Sequence, residues 1–239
     1  MEKRLVELGS GIRIGCRISG AARGPTMVLL HALGERAASW SGVEPLFASL
    51  FRVVGLDLRG HGDSDRPGLY TFELMRDDVI EVLEIMDLRE VVLIGHSMGG
   101  AVAYLVAQAQ PDRIARLVVE DVPPPFPRTR PVPERPEGVL EFDWAVVPAI
   151  VGQVNDPTRR WWRLLPEITA PTLLVGGGPT STIPQELLVE VSGLIPECTL
   201  VTMPTGHDVH ATRPGEFADV VLGWLDGAGT FPGPGPAGR

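Results

Sequence analysis

Ser97 stands in the run Val91-Val92-Leu93-Ile94-Gly95-His96-Ser97-Met98-Gly99-Gly100, where an apolar, β-rich stretch passes at Ala101 into a helical pattern. A serine hydroxyl is a weak nucleophile at its free pKa, so a reactive one needs a neighbouring base and a position that substrate can reach. A sharp strand-to-helix turn supplies the position. Gly95 and Gly99 carry no Cβ where such a turn closes, and the residue at its apex takes a strained conformation that small neighbours tolerate. The Gly-x-Ser-x-Gly spacing therefore predicts a nucleophile elbow with Ser97 at the apex. Five residues alone can match by chance, but here a strand precedes them and a helix follows, which is the context the motif requires.

Serine chemistry also needs a base, and the chain offers five histidines: His31, His61, His96, His207 and His210. His96 is inside the turn beside Ser97, so its ring is expected to face away from the hydroxyl. His61 lies between Gly60 and Gly62 and reads as structural. His207 follows the apolar segment Thr199 to Met203 at a strand end, and His210, three residues on, is its rival, with an exposed loop histidine as the plainer alternative. Cys16 and Cys198 are far apart, in strand-like segments without metal-ligand spacing, and read as buried free thiols.

These residues need elements to position them. Leu5 to Leu8 and Ile12 to Ile18 alternate apolar and polar around Gly9-Ser10-Gly11, which predicts an antiparallel hairpin at a sheet edge. Thr26 to Leu30, Val53 to Leu56, Val91 to Ile94, Ile114 to Val119 and Thr172 to Val175 are short continuous apolar runs, suited to strands buried on both faces of a parallel sheet. In Glu73 to Leu88, Met75, Val79, Val82 and Met86 recur at helical spacing. This alternation predicts an α/β fold, a mostly parallel eight-stranded sheet with helices on both faces. Ligands in such sheets bind beyond the carboxyl ends of the strands, and Ser97 follows one of those ends.

At 239 residues, 44% of them hydrophobic, the chain is long enough for one domain with a modest insertion. Val122 to Pro136 is too rich in proline for a regular helix or a central strand. It opens an insertion, so the expected organisation is a core of residues 1–121 and 170–226, a short lid of 122–169 and a disordered Gly/Pro tail of 227–239. A formal charge of −9 argues against nucleic acid or an anionic membrane surface as the main partner. Arg128, Arg130 and Arg135, interleaved with prolines and Glu134, read as an exposed loop. The start Met1-Glu2-Lys3-Arg4 leads into a strand pattern with no apolar signal core, and no stretch approaches membrane-spanning length, so a cytoplasmic protein is expected. Oligomeric state is not legible.

Over about residues 1–226 the chain resembles the α/β-hydrolases. Besides the elbow, it carries His31-Ala32-Leu33-Gly34 after the third strand, Asp57-Leu58-Arg59-Gly60-His61-Gly62-Asp63-Ser64 after the fourth and Gly206-His207 after the eighth, in the family's order. The resemblance implies that His207 is the base, because the family places its histidine after the last strand next to glycine. It implies an oxyanion hole from the backbone N–H groups of Met98, at the unpaired start of its helix, and Leu33, although relatives usually have glycine where Ala32 stands. His31 would shape that loop. Most relatives place the triad acid after the seventh strand, yet here Gly176 to Pro184 holds no carboxylate before Glu186, which reads as the first turn of the next helix. Some esterases and dehalogenases of the family carry the acid after the sixth strand, where this chain has Glu120-Asp121. Strand alternation lets one of the pair face the histidine; Asp121 matches that alternative acid more closely, Glu120 is second, and a site without an acid is third. Phe126, Phe142, Trp144, Trp161 and Trp162, together with His31, are candidates for the substrate pocket under the lid, and for any single tryptophan packing of the lid onto the main domain is the plainer reading.

The resemblance implies a serine hydrolase acting on a carboxylic ester, thioester or lactone of a hydrophobic small molecule, with no metal or organic cofactor. The aspartate nucleophile of epoxide hydrolases and dehalogenases is excluded by Ser97. Carbon-carbon bond hydrolysis, acyl transfer and haloperoxidase-like chemistry reuse the same triad and stay open. So does a binding protein that turns nothing over, which the missing seventh-strand acid keeps in play.

Overall fold

The computed structural model describes residues 1–227. Eight strands form one sheet: β1 (Glu2–Glu7), β2 (Arg13–Gly20), β3 (Thr26–Leu30), β4 (Arg52–Leu56), β5 (Val91–His96), β6 (Ile114–Glu120), β7 (Thr172–Gly176) and β8 (Cys198–Thr202). Their spatial order is β1-β2-β4-β3-β5-β6-β7-β8. Only β2 runs against its neighbours, pairing antiparallel with β1 and β4, while every pair from β4 to β8 is parallel. Among the described residues the helices are α1 (Glu44–Ala48), α2 (Phe72–Ile85), α3 (Met98–Ala109), α4 (Val146–Asn155), α5 (Arg160–Arg163), α6 (Gln185–Leu194), α7 (Val209–Thr212) and α8 (Pro214–Gly227).

The continuous apolar runs become central strands because both faces are covered. Along β5, Val91 and Leu93 join one core cluster with Met75, Val79 and Val82 of α2 and Val102 and Val106 of α3, whereas Val92 and Ile94 join the other with Phe47 of α1 and Phe217 and Val221 of α8. Alternate strand residues point to opposite faces, so one apolar segment serves two layers of helix. Thr71 caps α2, its hydroxyl accepting from Leu74 N at 3.0 Å. Cys16 is buried and Cys198 is half-buried, and both are free thiols.

The chain runs from β3 out to β4 and returns across β3 to β5, so the strand order switches between β3 and β5. That switch leaves a crevice at the strands' carboxyl ends, between the loop after β3 and the turn after β5. Between β6 and β7 the chain makes a 121–171 excursion containing a proline-rich stretch, α4 and α5. Helix α8 extends through Gly227, so the expected disordered tail, apart from Gly227 itself, lies outside the described residues. No helix among the described residues is long and apolar enough to cross a membrane.

Candidate active site

The β5–α3 turn places Ser97 at φ 51°, ψ −115°, a left-handed conformation rare for a residue with a Cβ. The turn closes only because its flanking positions are glycine: a Cβ at Gly95 would meet Gly99 O at 2.4 Å, and one at Gly99 would meet Leu30 O at 2.4 Å. Ser97 lines a cavity of about 590 Å³, and His207, Met98, Leu33 and Phe126 line the same space. Met98 is the first residue of α3, so its N–H lies outside the intrahelical ladder.

His207 Nδ1 is 2.8 Å from Asp121 Oδ2. Asp121 follows β6 at φ 47° and is fully buried. Its carboxylate also accepts from Gly177 N at 2.7 Å, Gln185 Nε2 at 3.0 Å and the Ser181 hydroxyl. Burial alone would raise its pKa, but these hydrogen bonds, that from His207 foremost, hold it below the ordinary carboxylate value. Asp121 is thus ionised and accepts from His207 Nδ1–H, the hydrogen bond that in a neutral imidazole selects the tautomer with Nε2 as acceptor.

Glu120 faces the other way. Its oxygens lie 2.8 and 3.0 Å from His210 Nδ1 and accept from His210 N at 2.9 Å. Both side chains are buried, and Trp40 stacks on the imidazole at 4.0 Å between centroids. Burial opposes charge at each group, yet Glu120 is held below its usual value by His96 and His210, and His210 is raised by Glu120. The two consecutive carboxylates therefore hold one histidine each of the segment after β8, His207 in the loop and His210 in α7. His210 is not the exposed loop residue its sequence context allowed. His96 turns from the cavity, its Nε2 3.0 Å from the carbonyl of His207, as its position inside the turn predicts.

His31 and His61 scaffold the loop after β3. His31 Nε2 accepts from Leu58 N at 3.0 Å while Nδ1 donates to Ala32 O at 2.7 Å. His61 Nε2 accepts from Gly34 N at 3.1 Å and Nδ1 lies 3.1 Å from Arg59 O. Burial lowers their pKa values to about 4 and about 3, so both are neutral. The turn carrying His61 is tied to α2 by the buried Arg59–Asp78 pair, with two 2.5 Å contacts.

Of the pocket candidates, only Phe126 is on the cavity wall. His31 is consumed by backbone hydrogen bonds beneath the loop. Trp161 is buried with its ring 5.4 Å from that of Phe72, a cavity-wall residue, and does not itself line the wall. Trp162 donates Nε1–H to Pro125 O at 3.0 Å, and Trp144 packs beside Phe142 at 6.2 Å. Indole rings inserted between elements staple them and leave the apolar wall to prolines, Phe72, Phe126 and aliphatic residues such as Ile150 and Val154. Arg128 and Arg130, expected in an exposed loop, also line the cavity.

Sequence reasoning missed Gly177, Ser181 and Gln185 as holders of Asp121. Their signal was present in the Gly176-Gly177-Gly178 run where a carboxylate was looked for: a Cβ at Gly177 would lie 2.0 Å from Gly206 O, so glycine there lets the β7 loop touch the His207 loop. For metal binding, ligand atoms of His96, Glu120 and His210 lie within 4.8 Å of one another, as do those of Glu35, His96 and Asp208. In the first group the Glu120–His210 hydrogen bonds already engage the carboxylate.

A family model described as alpha/beta hydrolase fold matches residues 25–142. The sn-1-specific diacylglycerol lipase of Mus musculus is 26% identical over 255 residues, covering 87% of this chain and 83% of that protein. A fluoroacetate dehalogenase of a Burkholderia species is 34% identical over 131 residues, covering 52% of this chain and 42% of that protein. Among solved structures, a hydrolase from Pseudomonas aeruginosa PA01 superposes with a TM-score of 0.80 at 25% identity, covering 94% of this chain and 98% of the other. The first curated relatives matched are longer, and the chain spans about a third (32%) of their length.

Proposed function

The chain belongs to the α/β-hydrolase fold family, and on that premise we propose that it is a serine hydrolase cleaving a carboxylic ester, or the related thioester or lactone, of a small molecule with an apolar acyl group. The observation that carries this reading is Ser97, strained at the apex of its turn and sharing a cavity with His207, whose Nδ1 is 2.8 Å from a buried carboxylate. Serine in the elbow separates this chemistry from that of the aspartate-nucleophile dehalogenases and epoxide hydrolases.

In the first half-reaction Ser97 Oγ attacks the carbonyl carbon while His207 Nε2 takes the hydroxyl proton. Asp121 stays ionised and stabilises the imidazolium. The N–H groups of Leu33 and Met98 donate to the oxygen on which charge develops. Collapse expels the alcohol, protonated by His207, and leaves an acyl-Ser97 ester. Water, deprotonated by His207, then releases the acid and restores the serine. The 122–169 segment acts as a short lid, its prolines and α4 giving the acyl chain an apolar wall.

Hydrolysis of p-nitrophenyl esters of graded chain length by the wild type and by Ser97→Ala tests this. The wild type should turn them over with a chain-length optimum, and the variant should lose roughly 10³-fold or more. Equal activity in the two proteins, or none in either, contradicts the reading.

A further inference from the structure

The cavity wall formed by the proline-rich segment carries two cations, Arg128 and Arg130. Arg128 is half-buried, and its Nε is buried without a hydrogen-bond partner. Its guanidinium lies 4.7 Å from the Phe126 ring centroid. Among the described residues no carboxylate pairs with either arginine. The two acids that line the same cavity have other partners: Glu35 accepts from Ala32 N at 3.3 Å, and Asp208 is 3.7 Å from His96 Nε2. Burial and the nearby Arg130 both lower the Arg128 pKa, as befits a cation partly stripped of water beside a second cation. In a chain of net charge −9, with carboxylates abundant, this is an unusual place to leave a guanidinium unpaired.

The segment is also fixed in place. Trp162 Nε1–H donates to Pro125 O at 3.0 Å on one side of Arg128. On the other, Asn155 Oδ1 accepts from Arg130 N and Asn155 Nδ2 donates to Arg130 O, each at 2.8 Å. Pro127 restricts the backbone between these anchors, and Pro131 follows the second. Arg128 is therefore presented to the cavity ready-made, and a preorganised guanidinium offers a planar fork matched to carboxylate and phosphate oxygens.

We propose that the substrate of Ser97 carries an anionic oxyacid group, a carboxylate or a phosphate, that binds the Arg128 guanidinium with Arg130 reinforcing the charge, across an apolar stretch from the scissile carbonyl. This rests on the serine hydrolase reading and narrows it to anionic esters or thioesters. The guanidinium binds the group without entering the bond-breaking steps.

Two matched substrate pairs test it and distinguish the sources of the anion. Mono-p-nitrophenyl adipate against p-nitrophenyl hexanoate places a carboxylate on the acyl side. Hexanoyl coenzyme A against hexanoyl N-acetylcysteamine places phosphate on the leaving-group side. In the wild type, kcat/KM should favour the anionic member of one pair by about tenfold or more, mainly through KM. Arg128→Gln should bring that ratio towards one, while Arg135→Gln, at an exposed position, should keep it. Ratios near one in the wild type for both pairs, with turnover still dependent on Ser97, overturn the anion site and leave the serine hydrolase reading standing. Should none of the four be turned over, the hydrolase reading fails, and thermal melts with adipate or inorganic phosphate decide the site alone. A rise in Tm seen in the wild type and absent in Arg128→Gln supports it, and no rise overturns it.

Discussion

Glu120 and Asp121 are neighbours in sequence with the same charge, and they are assigned different work by the histidine each one meets. Asp121→Asn should lower kcat/KM by about 10²- to 10⁴-fold, because an amide that donates towards Nδ1 favours the wrong imidazole tautomer. Steady-state kinetics on the folded variant checks this, and a loss smaller than tenfold would remove Asp121 from the proposed triad. Glu120→Gln breaks the pair with His210 instead. Its expected effect is on stability, about 2 kcal/mol or roughly 4–8 °C in Tm, with kcat changed by less than about threefold. Sequence ranked Asp121 ahead of Glu120 through the family resemblance alone; the residues themselves did not decide between them. Which of them reaches His207 depends on the backbone after β6, where Asp121 adopts φ 47° and donates its own N–H to Val175 O at 2.8 Å. Residue type does not encode that turn of the chain.

At the scale of elements, the strands were the most legible part because the sheet is covered on both sides, which turns each strand into an uninterrupted apolar run such as Thr26 to Leu30. The elbow was legible for a related reason: close approach of strand, turn and helix demands glycine at fixed spacing. The excursion between β6 and β7 was not. An aromatic residue there announces burial but not the neighbour it will be buried against, and Trp161 and Trp162 went into joints between elements rather than onto the cavity wall. The β7 loop shows the same limit in reverse. Its three glycines read as an absence, whereas Gly177 N is a donor to the acid and its missing Cβ admits the His207 loop. Gly177→Ala should push Gly206 and His207 apart from Asp121, and a displacement of the order of 1 Å is enough to lower kcat/KM about 100-fold. Measuring kcat/KM alongside Tm checks this, since a variant that melts lower but keeps full activity would show that the loop accommodates the methyl group.

For the molecule as a whole, the buried titratable groups predict a stability optimum near neutrality. His31 and His61 are neutral when folded, with pKa values of about 4 and about 3 against an ordinary 6.5, so their contribution is present above 6.5 and is lost as pH falls towards the folded values. Glu120 and Asp121 are held below their usual values and lose theirs further into acid. His210 is raised, so its contribution is complete below 6.5 and disappears as pH rises through its folded value. Urea unfolding at pH 5, 7 and 9 should give the largest free energy at pH 7, and Glu120→Gln should flatten the alkaline side. An optimum that stays on the acid side of pH 6 would contradict these assignments. The fold that carries them was expected from the alternation of strand and helix, and the strands bearing the motifs lie across the sheet in chain order except that β4 and β3 exchange places. The chemistry at those ends is the central claim, and labelling with a fluorophosphonate, read by intact mass and peptide mapping, tests it most directly. One adduct per chain on Ser97, absent from Ser97→Ala and slowed in Asp121→Asn, is the predicted result; a folded wild type that takes no label, or takes it elsewhere, would contradict it.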